Sequence, residues 1–421
     1  MRIATRPDRR LLTLLIVSAL VAGCGGKDAS APIRKLASLT RISGDQLAGT
    51  AGAALGESPI VEARDEHGAP MAGVSVRFTI TGGGGALSDT SVTTGAHGRA
   101  STAWLLGPDA AATQSLRAAA GTIAADFTAT ASAPQAGQTY FGRNGYIEYI
   151  AGDLPIIITA PHGGALVPAE LPDRTGTDVT TIRDTNTEER ARTIGNVFAN
   201  QAGSRPHIII VRLRRTKIDA NRELVEATKG NRLAGRAWIE FHSFTEAAKR
   251  AVIDQHGSGF YIDLHGHGHA IPRLELGYLL TSATLALPDA TIDGAGHEDQ
   301  SAIRTLSQVS PASFAEILRG PTSLGALFEG EGFPSVPSVS SPSPGAAEYF
   351  NGGYNTDRHG SRHGGPISGV QIEANFTGVR DGQVSWERFA GALVTVIAEY
   401  MAAHASSPAS TAHAERQSPK R

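Results

Sequence analysis

The run Phe260-Tyr261-Ile262-Asp263-Leu264-His265-Gly266-His267-Gly268-His269 begins as an apolar strand and ends in an Asp-x-His step. A second apolar run, Ile156-Ile157-Ile158-Thr159-Ala160-Pro161-His162-Gly163-Gly164, also ends in a histidine. Two imidazoles at the carboxyl ends of two strands can meet over one crevice, the usual ligand site of an open α/β sheet. With an acidic residue nearby, imidazoles brought together in this way make a catalytic zinc site. Asp263 and His265 are two residues apart, so alternation puts both on one side of the strand. There the carboxylate can orient the ring as a second-shell partner.

Around these two runs the pattern is that of an α/β domain, spanning 137–404. Strand-like runs at 154–160, 207–213, 259–264, 274–280 and 370–374 alternate with helical stretches at about 187–200, 235–255 and 386–403. Thr187 reads as the N-cap of the first helix, and Glu188 and Glu189 suit its positive end. The Pro-rich stretch 336–344 is too broken for a helix or a central strand. It reads as a long loop, a lid over the site. Glu373 lies in the late apolar strand Val370-Gln371-Ile372-Glu373-Ala374-Asn375, where a buried acid needs a partner or a role.

Residues 36–133 read differently. Val74, Val76, Phe78 and Ile80 alternate with polar neighbours, as do Ala100, Thr102 and Trp104. Leu116 with Ala118, and Phe127 with Ala129, supply two later strands. Gly-rich turns separate them, which predicts an all-β sandwich. At the front, Arg2, Arg6, Arg9 and Arg10 precede an apolar run, 11–22, that is too short for an ordinary membrane span. It ends in Val21-Ala22-Gly23-Cys24, and Cys24 is the single cysteine. No intramolecular disulfide can form, so the domains depend on their cores. Residues 24–35 read as a linker and 405–421 as a disordered tail. A formal charge of −2 gives no electrostatic reason to expect nucleic acid.

Two resemblances sharpen this reading. Gly68-Ala69-Pro70-Met71-Ala72-Gly73-Val74-Ser75-Val76-Arg77-Phe78-Thr79-Ile80 followed by Thr93-Thr94-Gly95-Ala96-His97-Gly98-Arg99-Ala100 resembles bacterial Ig-like domains of the invasin and intimin type. The cysteine context resembles a lipoprotein lipobox. That implies a signal peptide at 1–23, a lipid on Cys24, and anchorage to a bacterial membrane on its periplasmic or surface side, with Gly25 favouring the outer membrane.

In the second domain six motifs occur in order: Ala160-Pro161-His162-Gly163-Gly164, Asp184-Thr185-Asn186-Thr187-Glu188-Glu189, Ile218-Asp219-Ala220-Asn221-Arg222, Asp263-Leu264-His265, Gly352-Gly353-Tyr354 and Val370-Gln371-Ile372-Glu373. As an ordered set they resemble N-formylglutamate amidohydrolases, relatives of the zinc carboxypeptidases. The fold expected is therefore a sandwich followed by an α/β three-layer domain with a mixed sheet.

The resemblance implies one Zn2+ held by His162, His265 and an acid, Glu189 or alternatively Glu188, with Glu373 as general base. It implies Asn221 and Arg222 as the substrate-carboxylate site, with Arg358, His359 and Arg380 as further candidates for the anion pocket. His267 is expected to line the crevice beside the metal ligands. The expected activity is hydrolysis of an amide bond in a carboxylate-bearing N-acyl amino acid or peptide. A surface adhesin with an inactive second domain is the alternative, and a His-rich metal carrier would draw on the 263–269 run. A Gly-x-Ser-x-Gly elbow is absent, which argues against a serine hydrolase.

Overall fold

The structure is a computed structural model and describes residues 34–294 and 296–405. Cys24, the apolar run before it and the tail expected from 405 lie at or beyond these limits, so the readings made there fall outside the described residues.

The first domain is a two-sheet sandwich. Strands β1 (Leu36–Ser43), β3 (Ile60–Asp65) and β7 (Arg99–Ser101) form an antiparallel three-stranded sheet. The facing sheet runs in the order β2 (Leu47–Thr50), β10 (Ile123–Ser132), β9 (Gln114–Ala120), β4 (Ser75–Gly82), β6 (Ser91–Thr93). A short pair, β5 (Gly85–Leu87) with β8 (Trp104–Leu106), closes one end. The alternation read in the sequence has a direct outcome: Val76, Phe78, Leu116, Ala118, Phe127 and Ala129 from one sheet meet Leu39, Val61, Ala63 and Ala100 from the other. Trp104 is completely buried among them. Area-proportional burial of this kind is the main force holding two such sheets together.

The second domain is built on one mixed sheet of eight strands. Its strands are β11 (Thr139–Phe141), β12 (Ile147–Ile150), β13 (Ile156–Ala160), β14 (His207–Val211), β15 (Gly259–Gly266), β16 (Leu274–Gly277), β17 (Ser335–Val336) and β18 (Ile367–Ala374), in the order β11-β12-β14-β13-β15-β18-β16-β17. The four central strands β14, β13, β15 and β18 are parallel. Alternate residues of each face two different cores. Ile156, Ile158, Phe260, Ile262, Val370 and Ile372 pack against α1 (Thr187–Ala202) and α10 (Gln383–His404). Ile157, Ile209 and Tyr261 pack on the other face against α3 (Arg232–His256). Helix, sheet and helix thus form three layers.

The sequence misses several details. Strands β11 and β12 are short and weakly patterned. Helix α2 (Leu224–Thr228) and six more short helices, α4 (Ser282–Leu285), α5 (Asp289–Gly294), α6 (Arg304–Val309), α7 (Phe314–Arg319), α8 (Leu324–Gly330) and α9 (Tyr354–His359), are too brief to show a period. The residue capping α1 is Asn186, at φ 69°, rather than Thr187, whose hydroxyl instead donates to the Asp184 carbonyl. The stretch 336–344 is no lid. Its first residue, Val336, ends β17 at the outer edge of the sheet, and the Ser338 hydroxyl donates to Glu329.

The sandwich also packs directly on α3. Asp89 pairs with Arg232 and Arg236, and Arg250 faces Asp109. A Cβ on Gly52 would meet the Ser243 carbonyl at 2.6 Å, so the backbones approach closely.

Candidate metal centre and its crevice

The chain leaves β13 through α1 to β14 on one side, then crosses back through α3 to β15 on the other. Loops from the two halves therefore part above the carboxyl end of β13, the topological switch point at which open α/β sheets bind ligands. His162 follows β13, Asp184 comes from the loop before α1, Asp219, Asn221 and Arg222 follow β14, and His265 and Glu373 stand on β15 and β18. His265 and Glu373 are direct register partners, and the two side chains share one face. All of these except Asp219 surround a cavity of about 250 Å3, also lined by Arg215, Gln371 and Phe350.

The two histidines are held in matching ways. The ring centroids of His162 and His265 are 4.7 Å apart. His162 Nε2 is 2.6 Å from Asp219 Oδ1, and His265 Nε2 is 2.8 Å from Asp263 Oδ2. A carboxylate behind one ring nitrogen fixes the tautomer and leaves the other nitrogen for a ligand. The two Nδ1 atoms then turn toward the same Asp184 Oδ2, at 3.4 Å from His162 and 3.1 Å from His265. Asp184 is in turn set by the Gly266 N–H, which donates to its Oδ2 at 3.2 Å, and by Arg215, 3.6 Å from Oδ1. His162, Asp184 and His265 are each at most 5% exposed. Asp263 is anchored from behind by the Thr159 hydroxyl at 2.5 Å.

These residues fit a metal ion. Their ligand atoms all lie within 4.8 Å of one another. His162 Nδ1 is a buried nitrogen with no hydrogen-bond partner, the kind of orphan that needs a reason. Two imidazoles and a carboxylate are the donor set of catalytic zinc sites, which leave one position open.

Electrostatics separate the groups around the crevice. Burial disfavours charge on His265, yet Asp263 and Asp184 outweigh it and push the imidazole well above its ordinary value. Burial likewise opposes ionisation of Asp184, but His162 and His265 hold it well below the usual carboxylate range. Glu373 behaves oppositely. Burial dominates, Asp184 and Glu275 add to it against the attraction of His265, and its carboxyl is pushed up to about 8. Its Oε1 is 4.0 Å from His265 Nδ1 and accepts from the Gln371 amide at 3.0 Å.

Several sequence-based assignments are corrected by this geometry. Neither Glu189 nor Glu188 reaches the histidines. The Glu189 side chain lies on the helix, 41% exposed, with Oε1 3.5 Å from Arg183. Glu188 is bound up in an ion cluster with Arg192 and Glu148. The acid beside the rings is Asp184, three residues before α1 begins. Arg380 is buried under Gly266 and donates to the carbonyls of Ala374, Thr185 and His267, so it ties loops together behind the cavity. Arg358 lies over Trp238 on the side facing the sandwich, and His359 is buried between His242 and Glu246. None of the three lines the crevice. His267 belongs to a separate group with His269 and Glu275.

Asn221 and Arg222 do line it. The Asn221 carbonyl oxygen Oδ1 accepts from the Asn355 N–H at 2.7 Å, and a Cβ on Gly353 would meet the Asn221 amide at 2.4 Å, so that turn must be glycine. Arg222 pairs with Glu226 at 2.9 Å, with both side chains part-exposed. The residues missed in the sequence, Asp184, Asp219 and Arg215, stand inside or near the quoted motifs. The signal for Asp219 was its two-residue offset from Asn221.

No family model and no curated protein matches this chain. Solved structures similar to parts of it are surface-layer and intimin fragments. Domains 4 and 5 of the S-layer protein SbsC share 13% identity over 24% of this chain and 54% of that one, at a TM-score of 0.20. The D00-D0 domain of intimin shares 21% over 23% of this chain and 44% of that one, at 0.18. A C-terminal 282-residue intimin fragment, solved with the intimin-binding domain of the translocated intimin receptor, shares 19% over 30% of this chain and 43% of that one, at 0.19. The chain thus spans about half the length of these structures, and likeness at this level carries no function across.

Proposed function

We propose that the chain is a membrane-anchored, metal-dependent amidohydrolase acting on a carboxylate-bearing N-acyl amino acid or peptide, with chemistry like that of N-formylglutamate amidohydrolases and zinc carboxypeptidases. The observation that carries this reading is the convergence of His162, Asp184 and His265 beside the buried Glu373. Zinc is the ion that best suits two imidazoles and a carboxylate. When bound, such a metal supplies Lewis acidity toward an amide carbonyl and toward water.

The chain's own residues supply the rest. Glu373 removes a proton from the attacking water and delivers it to the leaving nitrogen. Its carboxyl is pushed up to about 8, and a dication close by would move it toward the ionised form, since opposite charge favours that form. Arg222 grips the substrate carboxylate. Its partner Glu226 is part-exposed, and a pair open to solvent in this way is displaced at little cost. The planar guanidinium fork offers the carboxylate two parallel hydrogen bonds. Asn221, fixed by Asn355, orients the substrate next to it. The products are a carboxylate and an amine. Lipidation at Cys24 would hold the enzyme on a bacterial membrane, and that argues for peptide or N-acyl substrates outside the cytoplasm.

The test is a screen of N-acyl amino acids and short peptides with zinc-loaded protein, Glu373→Gln and metal-stripped protein in parallel. Hydrolysis in the first alone is expected. A folded, zinc-loaded wild type inert across the panel would abandon the enzyme and leave a binding lipoprotein.

A further inference from the structure

The run after His265 contains two more histidines that the reaction does not use. His267 is buried, His269 is mostly buried and meets Glu275, which is completely buried on β16, and the ligand atoms of all three lie close together. We infer that His267, His269 and Glu275 form a second divalent-cation site, for zinc or a similar ion, in the outer wall of the crevice.

Three contacts orient the donors. His267 Nε2 lies 2.8 Å from the Arg273 carbonyl. A carbonyl can only accept, so the ring proton is on Nε2 and Nδ1 keeps the lone pair. This is the back-side contact expected of a metal-binding histidine. Glu275 Oε2 accepts from the Phe350 N–H at 2.8 Å, which turns Oε1 toward the histidines. The His269 ring stacks on Phe350, centroids 4.6 Å apart, with Nδ1 2.9 Å from Glu275 Oε1. His267 Nδ1 accepts from the His269 N–H at 3.1 Å, a hydrogen bond that a bound cation would have to displace.

The three ligand atoms lie within 4.8 Å of one another. Ligands about 2.0–2.2 Å from a tetrahedral zinc stand roughly 3.4 Å apart. Closing the difference takes a modest turn of His269, which its partial exposure allows. Glu275 otherwise has the His269 ring as its ion-pair partner, and a buried carboxylate gains more from a dication than from an imidazole that need not be charged.

The site is distinct from the first. Glu275 opposes Glu373 in the sheet, and Glu373 opposes His265. Two strand spacings put the sites about 10 Å apart, too far for the roughly 3.5–4 Å bridge of a two-metal hydrolase. The ion would instead fasten the exit of β15, the β16 strand and the Phe350 segment together, setting the wall against which substrate lies.

Untagged full-length protein, stripped with a chelator, is titrated with zinc against a chromophoric competitor, and retained metal is counted after desalting. Wild type is expected to hold two ions. His269→Ala and Glu275→Gln are each expected to hold one, and His265→Ala also one. One ion in wild type that survives His269→Ala would overturn the second site, as would two ions retained by both His269→Ala and Glu275→Gln. One ion lost in His269→Ala but kept in His265→Ala would support it while removing the catalytic centre, so the two readings fail separately.

Discussion

Histidines occupy both ends of the central sheet, and the two ends treat them in opposite ways. At the carboxyl ends of β13 and β15, His162 and His265 are backed by Asp219 and Asp263 and face Asp184. At the amino end of β14, His207 meets the Tyr149 hydroxyl at 2.8 Å and accepts from the Gly152 N–H at 3.2 Å. Burial there outweighs the attraction of Asp153, and His207 is pushed down to about 4. His265 is equally buried and is pushed up. Burial by itself therefore does not decide the charge of an imidazole; the groups behind it do. At the crevice, loops and strands from both halves of the sheet bring carboxylates together around one cavity.

The sharpest way to break this contrast is at Glu373. Glu373→Gln should lower amide hydrolysis by at least about 100-fold with metal content unchanged, the scale of a lost general base. Full activity in steady-state assays would remove its role. Next is Asp219→Asn, which keeps the shape but weakens the hold on His162. Metal affinity is expected to fall by about 10- to 100-fold, read by competition titration. An unchanged affinity would mean the carboxylate behind His162 is merely structural.

A smaller effect is expected from Arg222→Ala. Losing charge-assisted bonds of about 1.5–3 kcal/mol should reduce kcat/KM by about 10- to 100-fold, and only for substrates with a free carboxylate. An equal loss on amidated substrates would count against carboxylate recognition.

At the other end of the sheet the prediction concerns stability alone. His207 has a folded value near 4 and an ordinary value of 6.5. Between these the unfolded chain binds the extra proton, so stability is present above 6.5 and is lost as pH falls toward 4, by about 3 kcal/mol in all. Urea midpoints at pH 7 and pH 4.5 should therefore drop less in His207→Gln than in wild type. Identical drops would show that His207 is not kept neutral.

Much of the fold was legible. The 2-residue alternation of Val74 to Ile80 and the apolar runs 154–160 and 259–264 are set by which faces must be buried, and burial follows local pattern. The long helices α1, α3 and α10 show their apolar stripes for the same reason. The short helices of 282–359 were not legible, because a helix of one or two turns is stabilised by its neighbours rather than by its own sequence. At the site, His162 and His265 were conspicuous because each ends an apolar run. Asp184 was not, because it lies in a loop, and a loop's direction is fixed by contacts such as the Gly266 N–H and Arg215 that come from elsewhere in the chain.

The amino-acid sequence by itself determined the two cores, the strand-end histidines and the parity that puts Asp263 behind His265, since all of these follow from local periodicity. Only the tertiary structure decided that Asp184 rather than Glu189 meets the imidazoles, that Arg380, Arg358 and His359 stand away from the crevice, and that His267 joins His269 and Glu275. Those outcomes depend on which loops and neighbouring strands come together, and that is settled by packing between residues distant in the chain.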